Sequence, residues 1–182
     1  MKKNIGSQLA LYPTPVTVIG AMHQEQPTWT LVAHVGIIGH DHVLVSLASA
    51  HFINGCIKKN QKLSINLVNE EMLPKADVAG SVSGAKESKA QLFAYTMGEN
   101  GTPIIEASPL TMECTVQDIY ETDGFESFIC TIDATYVEET QLDEQNKINY
   151  QTLKPVLFEF PTYQYLKTGD VLGKCLSFKQ NN

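Results

Sequence analysis

Residues 110–136 alternate polar and apolar side chains on both sides of one turn signal. Leu110, Met112, Cys114 and Val116 run out, the chain turns at Asp123-Gly124, and Phe128, Cys130, Ile132, Ala134 and Tyr136 run back. Side chains on a strand repeat every two residues, so each run has one apolar face. A hairpin this long needs more β-structure to bury that face, which commits the chain to a β-rich fold.

Other segments supply it. Residues 17–21 and 42–48 are short β-branched runs bounded by turn residues, the pattern of strands buried on both faces. In residues 62–68, Leu63, Ile65 and Leu67 would face the core, with Ser64, Asn66 and Val68 on the opposite face. Residues 155–160 read as a further strand. Between these strands Ser49 is placed to cap a short helix over residues 50–60, with Phe52, Ile53, Cys56 and Ile57 at helical spacing and lysines in the last turn. The start of that helix, at residues 49–51, would present free N–H groups and the positive end of its dipole. A second helix is predicted over residues 70–80 and a third from Ser83 onward, with Ser83 as its cap. The expected architecture is mainly β, a closed barrel with short flanking helices. Nothing resembling a repeat or linker divides the 182 residues, so one domain, 1–182, is expected.

Composition narrows the function. The apolar runs are far shorter than the ~20 residues of a membrane span, and the N-terminus lacks the apolar core of a secretion signal, so a soluble cytoplasmic protein is expected. Cys56, Cys114, Cys130 and Cys175 are widely spaced and read as buried thiols rather than disulfide or zinc ligands. The net charge is -7 and all 13 basic residues are lysine, which argues against nucleic-acid binding. The charge is uneven. Residues 111–146 hold ten acids and no lysine, whereas residues 55–90 hold six lysines against four acids, so a small anion should bind in the latter region.

The short motifs are weak. Ser83-Gly-Ala-Lys86 and Lys167-Thr-Gly169 match two elements of acyl-serine enzymes, but the third is missing and a β-rich chain does not suit that fold. There is no phosphate loop or Gly-x-Gly-x-x-Gly signature. His40 and His42 have no third ligand nearby, and His34 in its apolar run reads as a packed or interface residue. No catalytic side-chain constellation or metal site is expected, which turns attention to a cofactor that brings its own chemistry.

Residues 12–21, 28–38, 44–68 and 76–93 together resemble the flavin reductase-like family, also called the flavoredoxin family. The resemblance runs from about residue 11 to residue 160. It implies a six-stranded Greek-key split barrel, a homodimer, and one FMN per subunit near the dimer interface. Carried over by position, it sets the flavin ring against Thr28, Trp29, Thr30, Leu31, Ala33 and His34. The phosphate would lie near Leu47, Ala48, Ser49, His51, Phe52 and Asn54, where the helix start was placed independently. Asn66, Ser83, Gly84 and Lys89 complete the implied cofactor site. Relatives often carry arginine at the position of Ala48; without it, phosphate binding would fall to backbone N–H groups, hydroxyls and Lys89. The implied activity is hydride transfer from NADH or NADPH through FMN to an acceptor. The rivals are an electron carrier docking to a redox partner, a serine acyl enzyme, and a sensor or scaffold with a vacant barrel.

Overall fold

The computed structural model describes residues 1–178, so the last four residues of the expected 1–182 domain lie outside it. In chain order the elements begin with β1 (Thr14–Pro15), β2 (Thr17–His23), β3 (Gln26–Val32), β4 (Val35–Ile37) and β5 (His42–Ala48). Helix α1 (Phe52–Asn60), strand β6 (Lys62–Leu67) and helix α2 (Leu73–Ser81) follow. Then come β7 (Tyr95–Met97), β8 (Pro103–Ile105) and the hairpin of β9 (Leu110–Thr122) and β10 (Phe125–Val137). Helix α3 (Tyr150–Leu153) and the short strands β11 (Leu157–Glu159) and β12 (Gln164–Leu166) complete the described chain.

The main sheet has the order β3-β2-β6-β9-β10-β5-β4. Its two ends, β3 and β4, are halves of one segment broken at Ala33-His34, where Ser46 N–H bonds to the His34 carbonyl at 2.9 Å. Counting that bent segment once leaves six strands curled into a split barrel, as expected. The hairpin predicted from alternation is present and turns at Asp123-Gly124, with Gly124 at φ 80°, a conformation glycine adopts without strain. The inward faces of the strands pack Ile19, Val45, Leu63, Ile65, Cys114 and Phe128 with Ile53 and Ile57 of α1. A second cluster, around Trp29, Val18, Phe93 and Ile105, lies between the barrel wall and α2.

Several local expectations change. Strand β5 is buried on one face only, its other face (His42, Leu44, Ser46 and Ala48) staying half-exposed. Strand β6 is the reverse: Ser64 and Asn66 are fully buried, since β8 packs over the face expected to be open. The third helix is absent. Ser83 opens a turn instead, its carbonyl accepting from Lys86 and Glu87 N–H, and Lys89 then folds inward to bond two distant carbonyls, which a continuous helix from Ser83 would not replace. Helix α1 starts later than expected, with His51 as its N-cap rather than Ser49. Cys56, Cys114 and Cys130 are buried as expected, but Cys175 is exposed; all four are free. Burial pushes the Cys130 thiol up to about 12, so it is held protonated as a packing group.

Gly20 of β2 faces the Trp29 ring and the Ser64 hydroxyl, and a methyl there would collide with both. Gly20→Ala should therefore lower stability by about 1–3 kcal/mol through overpacking, read as a fall in the chemical denaturation midpoint.

Candidate functional site

Two connected cavities lie where α1 begins. The inner one, about 240 Å³, is bounded by the β3 backbone and side chains at Thr28, Trp29 and Thr30, by residues 50–53, and by residues 80–84 with Lys89. The outer one, about 510 Å³, runs along residues 31–34 and 46–48 beneath the aromatic β11–β12 hairpin. His51, Gly80 and Ser81 line both, so they form one cleft with a polar end and an apolar end.

The inner end has groups that suit an anion. The nine-residue helix α1 points its N-terminus into it, and the His51 side chain makes no capping bond, so the first N–H groups, at Phe52 and Ile53, have no intrahelical partner. Lys89 is only 7% exposed; its ammonium donates to the Trp29 carbonyl at 2.9 Å and the Ala79 carbonyl at 2.7 Å, and among the described residues no carboxylate pairs with it. Burial lowers its pKa, a sign that the site lacks a counter-ion. Thr30, 2% exposed, keeps a buried hydroxyl with no partner. At Gly84 a side chain would meet Phe52 Cδ1 at 2.8 Å and Thr28 Oγ1 at 3.0 Å, so glycine lets this turn close against β3 and α1.

The outer end suits a flat ring. Phe160 and Tyr163 lie with ring centroids 4.8 Å apart, and Phe158 packs on Tyr165 at 5.6 Å. Tyr12 and His34 Nε2 share a hydrogen bond of 3.0 Å, and the His34 ring sits 6.0 Å from Phe125 and 6.3 Å from Phe160. Tyr165 donates to Asp77 at 2.6 Å, and burial, followed by that carboxylate, pushes its hydroxyl pKa up. Because Trp29 turns its carbonyl outward to Lys89, the alternation of an antiparallel edge turns the Leu31 main-chain groups outward as well, toward the cleft.

Of the residues singled out from sequence, the structure brings Thr28, Trp29, Thr30, Phe52, Ser83, Gly84 and Lys89 to the inner cavity. Leu31, Ala33, His34, Leu47 and Ala48 line the outer one, and His51 lines both. Three stand apart from both cavities. Ser49 is exposed, its N–H held by the Gly124 carbonyl at 2.9 Å. Asn54 ties α1 to the end of β5 through the Ala48 carbonyl at 3.2 Å and to the hairpin through Glu126 Oε2 at 2.8 Å. Asn66 is spent inside the barrel wall, donating to the Val18 carbonyl and Ser64 Oγ, both at 3.0 Å, and accepting from Ile105 N–H and Thr111 Oγ1, both at 2.9 Å. Sequence reasoning missed Asp77, Gly80, Ser81 and Phe125, and the whole aromatic hairpin; the density of aromatics in residues 158–165 was the available signal. Among the described residues the acyl-serine arrangement does not form: Lys167 pairs with Glu70 at 2.7 Å, and the one bond to Ser83 Oγ is from Ala85 N–H, at 3.4 Å. Among the described residues no cluster of three metal-ligating side chains occurs, and no helix is long and apolar enough to cross a membrane.

The family model for the flavin reductase like domain matches residues 9–167. The chain belongs to that family. Solved structures agree along nearly the whole length. Flavoredoxin from Methanosarcina acetivorans superposes with a TM-score of 0.91 at 30% identity, covering 98% of this chain and 97% of that one. Flavoredoxin of Desulfovibrio vulgaris (Miyazaki F) gives 0.90 at 26% identity, covering 98% and 99%. An FMN-binding protein from Thermus thermophilus gives 0.82 at 19% identity, covering 96% and 100%, a likeness of fold. No curated protein sequence matches the chain.

The family's flavin fits the residues of this cleft. The unpartnered Thr30 hydroxyl, the uncompensated Lys89 ammonium and the open helix start are the groups a flavin's phosphate would satisfy. Thr30→Val should therefore act in opposite directions on the two states. Without ligand it removes a buried, unsatisfied hydroxyl and should stabilise the fold by about 1 kcal/mol, while flavin affinity should fall; thermal melts with and without flavin check both.

Proposed function

We propose that this protein is an FMN-binding oxidoreductase of the flavin reductase type, drawing on NADH or NADPH. One observation carries the reading: the residue with a buried ammonium that has no ion-pair partner among the described residues, and the residue with an orphaned buried hydroxyl, line one end of a cleft whose other end is a wide aromatic cavity. That arrangement separates a place for a phosphate from a place for a flat ring. Lys89, the first N–H groups of α1 and Thr30 would hold the phosphate, and residues 31–34 with Leu47 would line the ring. When bound, FMN supplies the electron chemistry, and the chain contributes orientation and exclusion of water.

One feature favours a second reading, an electron carrier that docks to a redox partner. Among the described residues the outer cavity is lined by Asp77 and no lysine, so no permanent positive charge is fixed there for the phosphates of a nicotinamide dinucleotide. The acidic hairpin would then serve a basic partner. Steady-state oxidation of NADH and NADPH by the FMN-loaded protein decides between them. Turnover supports the reductase, whereas a protein that retains FMN but is reduced only slowly by nicotinamide is a carrier. The visible spectrum after gel filtration comes first: retention of about one FMN per chain supports both, and failure to bind FMN in equilibrium titration overturns both.

A homodimer in the cytoplasm is part of the same proposal. Ile37 and Ile38 are 87% and 52% exposed beside the half-open face of β5, an apolar edge that a second copy would cover. Light scattering on Ile37→Lys should report a monomer where the parent chain gives a dimer.

A further inference from the structure

We propose that His51 is a proton-dependent ligand for the FMN phosphate, so that the cofactor is held more tightly at mildly acidic pH and loosens as pH rises. The inference rests on the FMN placement above and concerns how this chain balances the phosphate charge.

A phosphate monoester carries nearly two negative charges at neutral pH, its second ionisation lying near ~6. The chain has no arginine, all 13 of its basic residues being lysine, and the inner cavity is lined by one of them, Lys89. The helix start adds only a partial charge. Lys86 lines the adjoining cavity beside Thr28, Phe52 and Gly84 and not this one, so a second full charge would come from another group that borders the cleft.

Among the titratable groups lining the cleft, His34 is engaged by Tyr12, Asp77 accepts from Tyr165, and Tyr163 packs at a tilt against Phe160; all three belong to the outer cavity alone. His51 lines both cavities, and among the described residues its imidazole makes no hydrogen bond, not even to its own helix. The ring is therefore free to turn toward the anion. Burial and then the Lys89 charge disfavour its protonated form in the free protein. The positive end of α1 works in the same direction.

A phosphate reverses the balance. It neutralises the field of Lys89 and of the helix, and it offers the imidazolium a charge-assisted acceptor. The sign follows by linkage. His51 has a higher pKa with FMN bound than without, so binding takes up a proton, and affinity falls as pH rises through that window, by at most ~10-fold per pH unit for one proton.

The test is fluorescence titration of the full chain with FMN between pH 6.5 and 8.5 at fixed ionic strength. Riboflavin serves as the phosphate-free probe, and His51→Gln and His51→Lys are measured alongside. The expected result is an FMN Kd that rises about fivefold or more across the range, with a flat riboflavin Kd. His51→Gln should be flat at the weaker, alkaline value, and His51→Lys flat at a tight one. A pH slope that survives unchanged in His51→Gln, or no slope in the parent chain, overturns the role of His51 and leaves the FMN site standing. Absence of FMN binding at every pH overturns the site itself, and this inference with it.

Discussion

Lys89→Met should weaken FMN binding by about 10- to 100-fold, the loss of roughly 1.5–3 kcal/mol that accompanies removal of a hydrogen bond from a charged group. The free protein should respond far less, because two effects oppose each other. The Trp29 and Ala79 carbonyls lose their donor, but an ammonium that is 7% exposed and has no carboxylate partner no longer has to be kept out of water. Lys89→Gln separates the two, since it can donate to one carbonyl but carries no charge: it should restore stability without restoring FMN affinity. Titration of each variant with FMN, beside its melting curve, gives both readouts. Unchanged FMN affinity in both variants would move the phosphate away from the inner cavity.

Asn66→Leu should be the most damaging single change to the fold, lowering stability by about 3–5 kcal/mol. The side chain spends its whole hydrogen-bonding capacity on four buried partners across β2, β6, β8 and β9, and leucine would take this partner from all four at once, leaving the Ser64 hydroxyl its bond to the Pro103 carbonyl. At ~2–4 °C per kcal/mol for a chain of this size, the melting temperature should fall by about 10 °C. The folded fraction should still bind FMN with parental affinity. A variant that keeps its melting point but loses flavin would put Asn66 back into the site.

These two residues also show where sequence reasoning worked and where it stopped. Lys89 enters the proposed phosphate site through resemblance alone. No spacing rule brings it under the β3 edge, because its path depends on a turn at Ser83 that reads locally as a helix start. Asn66 sits on the face of β6 where alternation puts it, but alternation says nothing about what covers that face, and β8 arrives from 39 residues downstream. Strand β5 was bounded correctly at both ends because Asp41 and Ser49 flank an uninterrupted β-branched run. The helix start after it was misplaced, since Ser49, a good cap by type, is tied to the hairpin turn before the helix begins. The aromatic roof stayed hidden for a different reason. Its role follows from the return of residues 157–166 over the cleft, a long-range contact that no local pattern encodes.

The break at Ala33-His34 has a mechanical consequence. A barrel whose first and last strands are one bent segment has a seam, and the cleft lies along it, so the backbone flanking the bend is stitched from one side only. A ligand that spans the inner and outer cavities would act as the missing stitch. Amides of residues 28–37 should then exchange fastest of all the barrel backbone in the free protein and gain the most protection when the cleft fills, which makes the seam a gauge of occupancy.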